Sequence, residues 1–356
     1  MSTVKFFCDF TVAIPTYNGA KRISDVLKRL NWQLGTEQIA WEVIVVDNNS
    51  TDETAAVVRQ FQKDWPELRY AFEPKQGATY ARQRAVKLAR SPLIGFLDDD
   101  NLPSAIWVNQ AVKFLREHPQ AGIIGSHIRG QFDSEVPKDF DRIAPFLALI
   151  DRGSQPLFYA PEKKVLPPGA GMVVRRHAWV ENVPDNPVLG GPTKDNILAS
   201  EDMETTLHIQ RGGWEVWYNP AMRVEHKIPA QRLTHDYLCE LMRGVGLSRY
   251  RTRVLSVKKY QKYPILLAYA INDIRKIVRH LIKYRAGVWR DPVTASEMTL
   301  YFYSLLSPAF FLRMHLQRIW SNSPIKKCWL GGDPCNRLNQ SGVGSQVTST
   351  IGSESQ

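Results

Sequence analysis

At 356 residues, 44% of them hydrophobic, the chain is long and apolar enough to bury a sizeable core, so a globular fold is expected. The four cysteines (Cys8, Cys239, Cys328 and Cys335) form no CxxC pair and suit no common zinc site, which leaves free thiols in a reducing compartment as the expectation. The formal charge of +11 is unevenly spread: Arg243 to Arg290 carries 13 Lys and Arg against a single acid, Asp273, and a block this basic seeks an anionic partner.

The first residues lack a basic n-region and place Asp9 inside the apolar run, so they read as a strand and not as a secretory signal. Residues 10–17, 42–46 and 93–97 are short apolar, β-branched runs, the pattern of buried parallel strands. Between them, Lys21 to Leu34 spaces Ile23, Val26, Leu27, Leu30 and Leu34 at helical intervals, and Asp52 to Phe61 and Tyr80 to Ala89 give two more helices. Strand and helix alternate, which predicts an α/β fold with a doubly wound, mostly parallel sheet whose ligands sit beyond the carboxyl ends of the strands. After about residue 125 the pattern loosens. It resumes as a strand at Gly171 to Arg175, a helix at Met203 to Arg211 and strands around Glu215 to Tyr218 and Arg223 to His226.

Pro264 opens a predicted helix to about Arg285 with Ile271, Ile274, Ile277, Val278, Leu281 and Ile282 on one face and Arg275, Lys276, Arg279 and Lys283 on another. Met298 to Leu312 is apolar but interrupted by Pro308, and falls short of the roughly 20 residues of a membrane span. The expected organisation is a domain over 8–230, a basic amphipathic helical region over 231–325, and a disordered tail over 336–356 with too little apolar content to fold.

Chemistry concentrates where the strands end. Asp98, Asp99 and Asp100 follow a buried strand, so extended geometry would turn Asp98 and Asp100 one way and Asp99 the other. Two converging carboxylates suit Mg²⁺ or Mn²⁺, which could neutralise a departing diphosphate; an acidic turn is the structural alternative, and the position at the sheet's ligand-binding edge favours the metal. Asp47 could accept from the ring N–H of a base, while Asp52 fits a helix cap. Arg82 follows a glycine at a helix start and could meet phosphate or ribose; Lys75 and Gly77 could contact phosphate or simply form a turn. Glu201 and Asp202 open a helix, where an ionised carboxylate could act as a general base or merely cap the helix. His226 alone reads as a structural histidine, with metal ligation the minority reading.

Taken in order, VAIPTYN (Val12 to Asn18), VIVVDNNSTDET (Val43 to Thr54), GATYARQRAVKLA (Gly77 to Ala89), FLDDDN (Phe96 to Asn101), GAGMVVRR (Gly169 to Arg176) and SEDMETTLHIQRGGW (Ser200 to Trp214) resemble glycosyltransferase family 2 over about residues 8–230. The resemblance implies a GT-A fold and inverting transfer of a sugar, expected as a UDP-sugar, from a nucleoside diphosphate to the hydroxyl of a saccharide or lipid-linked acceptor. It implies that Pro15, Thr16, Tyr17, Asn18, Asp47, Asn49, Lys75, Gly77, Arg82, Asp98, Asp99 and Glu201 surround the nucleotide sugar. Asp100, with Asp98 and His226, would hold Mn²⁺ or Mg²⁺, and Asp202 would be the base. Gln83 stands where the family often has Asn. The QxxRW of processive synthases is absent, Gln231-Arg232-Leu233 being the nearest candidate, so single-sugar addition is favoured. The overall form is similar to cyanobacterial enzymes of the hormogonium polysaccharide type.

Two readings compete: a basic nucleic-acid-binding protein, and a relative that binds nucleotide sugars without catalysis. The carboxylates at Asp98, Asp100 and Asp202 argue against the second. The apolar stripe on the basic helix argues against nucleic acid and for an anionic membrane surface, which uses both faces. The expected location is therefore cytoplasmic, peripheral on the inner face of the cell membrane.

Overall fold

A computed structural model describes residues 8–161, 165–191, 193 and 196–322; the tail expected over 336–356 lies outside them. Contacts divide the described residues into two units at Pro308, and apart from the end of the last helix, which runs on to Asn322, the features below belong to the first. Strands β1 (Phe10–Thr16), β2 (Trp41–Asp47), β3 (Leu68–Phe72), β4 (Leu93–Phe96), β5 (Asn101–Pro103), β6 (Ala121–Phe132), β7 (Leu157–Phe158), β8 (Val173–Arg175) and β9 (Glu215–Ile228) form one mixed sheet in the order β3-β2-β1-β4-β8-β6-β9-β5, with β7 on β9. The sheet is parallel among β1 to β4, and β8 then joins antiparallel between β4 and β6.

Helix coverage on both faces explains the unbroken apolar runs. Every residue of β1 is buried, as is all of β2 after Trp41, because α1 (Ile23–Asn31), α2 (Thr54–Gln62), α3 (Ala78–Leu88) and α4 (Trp107–Glu117) cover the sheet. Pro15 is tolerated within β1 because its missing N–H faces the β4 side, where pairing has already ended at Ala13 opposite Phe96. The same early end of β4 opens the rim: β1 runs on to Thr16 while the neighbouring chain turns away at Leu97.

The long strand β9 carries the C-terminal half of the site. It runs parallel to β6 with irregular register near Ser126 and His127, and pairs antiparallel with β5, setting His226 opposite Asn101. The two strands expected at 215–218 and 223–226 are thus one. Helices α5 (Arg176–Asn182) and α6 (Glu201–Arg211) cover the β8 side, followed by α7 (His235–Leu255), α8 (Lys262–Tyr284) and α9 (Pro292–Asn322). A second core unites Phe140, Ile143 and Leu147 with Ile228, Leu233, Leu238, Met242, Val293 and Leu300, so the segment after β9 is fixed by buried side chains on both of its flanks.

Helix α8 is inverted. The residues it buries are polar, Asp273 and His280, whereas Leu267, Ile271 and Ile282 of its aliphatic stripe are 64%, 59% and 70% exposed. Nevertheless, no helix among the described residues is long and apolar enough to cross a membrane.

Candidate active site

A cleft of about 320 Å³ opens where β1, β2 and β4 end, lined by Pro15, Thr16 and Tyr17 after β1, Asn48 after β2, Gly77 at the head of α3, and Asp98, Asp99 and Asp100 after β4. Arg22, His226 and Arg232 close its other side. The aspartates have left the strand: the Asn101 amide donates to the Asp98 carbonyl at 3.0 Å, and the Asp98 amide donates to the Asn101 side chain at 3.1 Å. Because the triplet is a turn, the expected alternation of side chains is lost and all three aspartates line the cleft.

Each carboxylate meets different cations. Asp99 is held by Arg22, whose Nε and Nη2 donate at 2.8 and 2.9 Å, and by the Thr16 hydroxyl at 2.6 Å. Asp98 lies 3.3 Å from Nη2 of Arg82, whose Nη1 donates to Glu201 at 3.1 Å. Recession into the cleft pushes the Asp98 carboxyl up, the Arg82 charge pulls it back, and the like charge of Asp100 adds to the rise. Burial would also raise Asp100, but the His226 contact and the charges of His226, Arg232 and Arg22 hold it below the ordinary carboxylate range.

Asp100, His226 and Arg232 form one cluster. His226 Nδ1 donates to the Leu147 carbonyl at 3.0 Å, which fixes the ring and leaves Nε2 facing Arg232 Nη1 at 3.1 Å and Asp100 Oδ1 at 3.5 Å. Arg232 also reaches Asp100 Oδ2 at 3.1 Å. The chemistry of this donor set suits Mn²⁺ or Mg²⁺: a carboxylate paired with an oriented imidazole nitrogen, leaving further positions for phosphate oxygens. Asp98 turns towards Arg82, and among the described residues no three His, Cys, Asp or Glu side chains gather to enclose an ion by themselves.

The first turn of α6 adjoins this cluster. Asp202 accepts from the Gly169 amide at 2.6 Å and from the Met203 amide at 2.7 Å. A glycine at 169 lets the chain pass close to both groups, since a Cβ there would lie 2.8 Å from Arg82 Nη2 and 3.1 Å from the Asp202 Cβ. Glu201 is pushed up by burial and by the neighbouring Asp202 charge. Arg82 therefore links Asp98 at the cleft to Glu201 beside Asp202.

Other predicted residues do not line the cleft. Asp47 accepts from Tyr70 Oη at 2.7 Å and from the Ser50 amide at 2.9 Å, and burial together with Asp47 pushes the Tyr70 phenol up to about 12. The Asn18 side chain accepts from the Thr51 amide at 2.8 Å, and Asn49 adopts a positive φ of 66° in the turn. Lys75 lies 3.8 Å from the Tyr80 ring centroid. Asp52, expected as a helix cap, accepts from the Ala20 and Thr54 amides, one residue before the N-cap position Glu53. Sequence reasoning passed over Asn48, which donates to the Lys75 carbonyl and accepts from the Gly77 amide, each at 2.7 Å, and so shapes the loop entering α3. It also passed over Arg22 and Arg232, charges far from the triplet in sequence.

Parallel strands that deliver carboxylates to one cleft, with an α6 acid beside it, form the GT-A fold. Residues 11–179 match the family model "Glycosyl transferase family 2". The uncharacterised glycosyltransferase YfnE of Bacillus subtilis is 35% identical to this chain over 103 residues, 29% of this chain and 26% of YfnE. Glycosyltransferase AglE of Haloferax volcanii is 33% identical over 106 residues, 30% of this chain and 34% of AglE. The chain thus matches only a minor part of these relatives' lengths. The mannosyltransferase PcManGT from Pyrobaculum calidifontis, solved with GDP-Man and Mn²⁺, has the same fold, with a TM-score of 0.55 and 20% identity over 89% of this chain and 88% of that one.

Proposed function

We propose that the protein is an inverting family 2 glycosyltransferase that moves a sugar from a nucleoside diphosphate to an acceptor hydroxyl in polysaccharide or glycolipid assembly. The observation that carries this reading is the cleft at the strand ends, where Asp100 faces Arg232 and an oriented His226, and Asp98 lines the same cleft while paired with Arg82. A diphosphate brings negative charge to a rim already lined with carboxylates, so binding there needs cations. Arg22 and Arg232 supply two, and a divalent ion held by Asp100 and His226, with Asp98 beside it, would supply the third. Bound there, that ion would act as a Lewis acid towards the departing diphosphate.

The chain's own groups account for the rest. Thr16 and Tyr17 border the base and sugar end of the cleft, and Tyr17 is exposed enough to stack. Asp47, which already receives two hydrogen bonds, would reach the base only by a change of partner at Tyr70. Asp202 is oriented by the Gly169 and Met203 amides and accepts the proton of the attacking hydroxyl, while Arg82, shared between Asp98 and Glu201, offsets part of their charge. A single base acting with in-line attack gives inversion.

The exposed aliphatic stripe of α8, flanked by Arg275, Arg279 and Lys283, supports peripheral attachment to an anionic membrane on the face where nucleotide sugars are available. The donor reading is tested by incubating the full chain and Mn²⁺ with a panel of nucleoside diphosphate sugars and measuring nucleoside diphosphate release, with and without added saccharide and lipid-linked acceptors. Release from one donor class, stimulated by an acceptor and abolished by Asp202→Asn, is expected; equal release by that variant contradicts the assignment.

A further inference from the structure

A second cleft, about 830 Å³, lies between α6 and the helices α7 and α8. Its walls combine two chemistries. Met203 and Leu207 of α6, Leu255 of α7 and Ile265 of α8 are apolar, whereas Arg249, Arg253 and Lys276 are cationic, with Arg211 and Lys258 at the margin. No acid lines it among the described residues.

The charges inside are unbalanced. Arg253 takes both oxygens of the fully buried Asp273, at 2.7 and 2.9 Å, and is stacked 4.4 Å over the Tyr269 ring. Arg249 and Lys276 feel the same carboxylate, yet neither forms an ion pair among the described residues. Three cations share Asp273, and Glu297, the other carboxylate that acts on Lys276, is itself paired with Arg142, so the cleft keeps a positive surplus. Burial, and then the Arg253 charge, lowers Arg249 to about 10, and burial, and then Arg249, lowers Lys276. A surplus of this kind in a recessed site is relieved by an anion with several acceptor oxygens.

The surroundings narrow the anion to an amphiphile. Met203, Leu207, Leu255 and Ile265 give the cleft an apolar wall beside its cations, whereas the exposed aliphatic stripe of α8, Leu267, Ile271 and Ile274, lies on the opposite face of that helix. At the other end is Met203, the residue after the proposed base Asp202.

We infer that this cleft binds the phosphate or diphosphate head of a long-chain amphiphile between Arg249, Arg253 and Lys276, with its hydrocarbon against Met203, Leu207, Leu255 and Ile265, delivering a lipid-linked acceptor to the first turn of α6. The inference rests on the transferase reading for the word acceptor; the binding site itself does not. The test uses dodecyl phosphate below its micelle concentration, with dodecanol and inorganic phosphate as controls, titrated calorimetrically into the full chain. Dodecyl phosphate is expected to bind at least about tenfold more tightly than either control, because head and tail contribute together. Lys276→Gln is expected to weaken it by about tenfold, and Arg249→Gln/Lys276→Gln by more. Unchanged affinity in these variants, or inorganic phosphate binding as tightly as dodecyl phosphate, overturns the proposal. Should the double variant fail to fold, Lys276→Gln alone decides, since that side chain is only partly buried. Binding of UDP and GDP with Mn²⁺ is followed in the same variants: its retention locates any loss in the second cleft. Its absence in the wild type would strike the transferase reading while leaving the amphiphile result to stand on its own.

Discussion

Replacing Asp202 by Asn separates the two tasks of that side chain. Both of its oxygens accept amide hydrogens, Oδ2 from Gly169 at 2.6 Å and Oδ1 from Met203 at 2.7 Å. An asparagine offers one acceptor oxygen and one NH₂, so one amide is left facing a donor, at a cost of about 1–3 kcal/mol in stability. Loss of a general base removes about 10²–10⁴ in rate, equivalent to about 2.7–5.5 kcal/mol of barrier. The two effects are measured apart. Urea unfolding reads the first, and single-turnover transfer per folded molecule, at saturating donor, reads the second. The expected result is a folded variant with donor affinity within about threefold of wild type and a rate reduced at least about a hundredfold. A folded variant that transfers within about tenfold of wild type would refute the role given to Asp202.

Arg82→Met leaves Asp98 and Glu201 without their shared cation, and the structure predicts a loss of about 3–5 kcal/mol in urea unfolding, partly restored by adding Glu201→Gln. Glu204 is fully buried; burial would raise it, but His208, the Leu189 amide and Arg251 together hold its carboxyl below the ordinary range. Its stabilising contribution is therefore complete above the unfolded value of about 4.3 and disappears as pH falls through the lower folded value. Glu204→Gln should lower stability at pH 7 and flatten that acid limb in pH-dependent unfolding. On α8, Ile274→Glu/Val278→Glu should leave the melting temperature nearly unchanged, because both positions are about half exposed, and should abolish flotation with vesicles containing anionic lipid.

The sequence was legible where one periodicity ruled without interruption. β1, β2 and β4 are buried on both faces, so their residues are mostly apolar, and α1 keeps a clean helical stripe of Ile23, Val26, Leu27 and Leu30. The elements that escaped contain residues chosen for tertiary contact. α7 carries Gly244 within its helix because a Cβ there would lie 2.4 Å from the Ile197 carbonyl oxygen, and that glycine hides the helix from a propensity argument. β6 contains three glycines and reads as a loop until it is paired with β8 and β9. In the site, Thr16 and the aspartate turn, singled out by their place at strand ends, line the cleft, as does Gly77, singled out in the loop entering a helix. It could not distinguish Asn48 from Asn49, because the turn after β2 sends only the first inward, nor could it foresee Arg232, which reaches Asp100 only because Leu233 is anchored in the second core.

Calorimetric titration of UDP and GDP into the wild-type chain and Asp100→Ala, each with and without Mn²⁺, bears most directly on whether this cleft grips a diphosphate through a cation. The prediction is that one nucleotide binds the wild type with Mn²⁺ at least about tenfold more tightly than without, and that Asp100→Ala erases the difference. Mn²⁺-enhanced binding that survives intact in Asp100→Ala, or no binding of either nucleotide by the folded wild type, would contradict it.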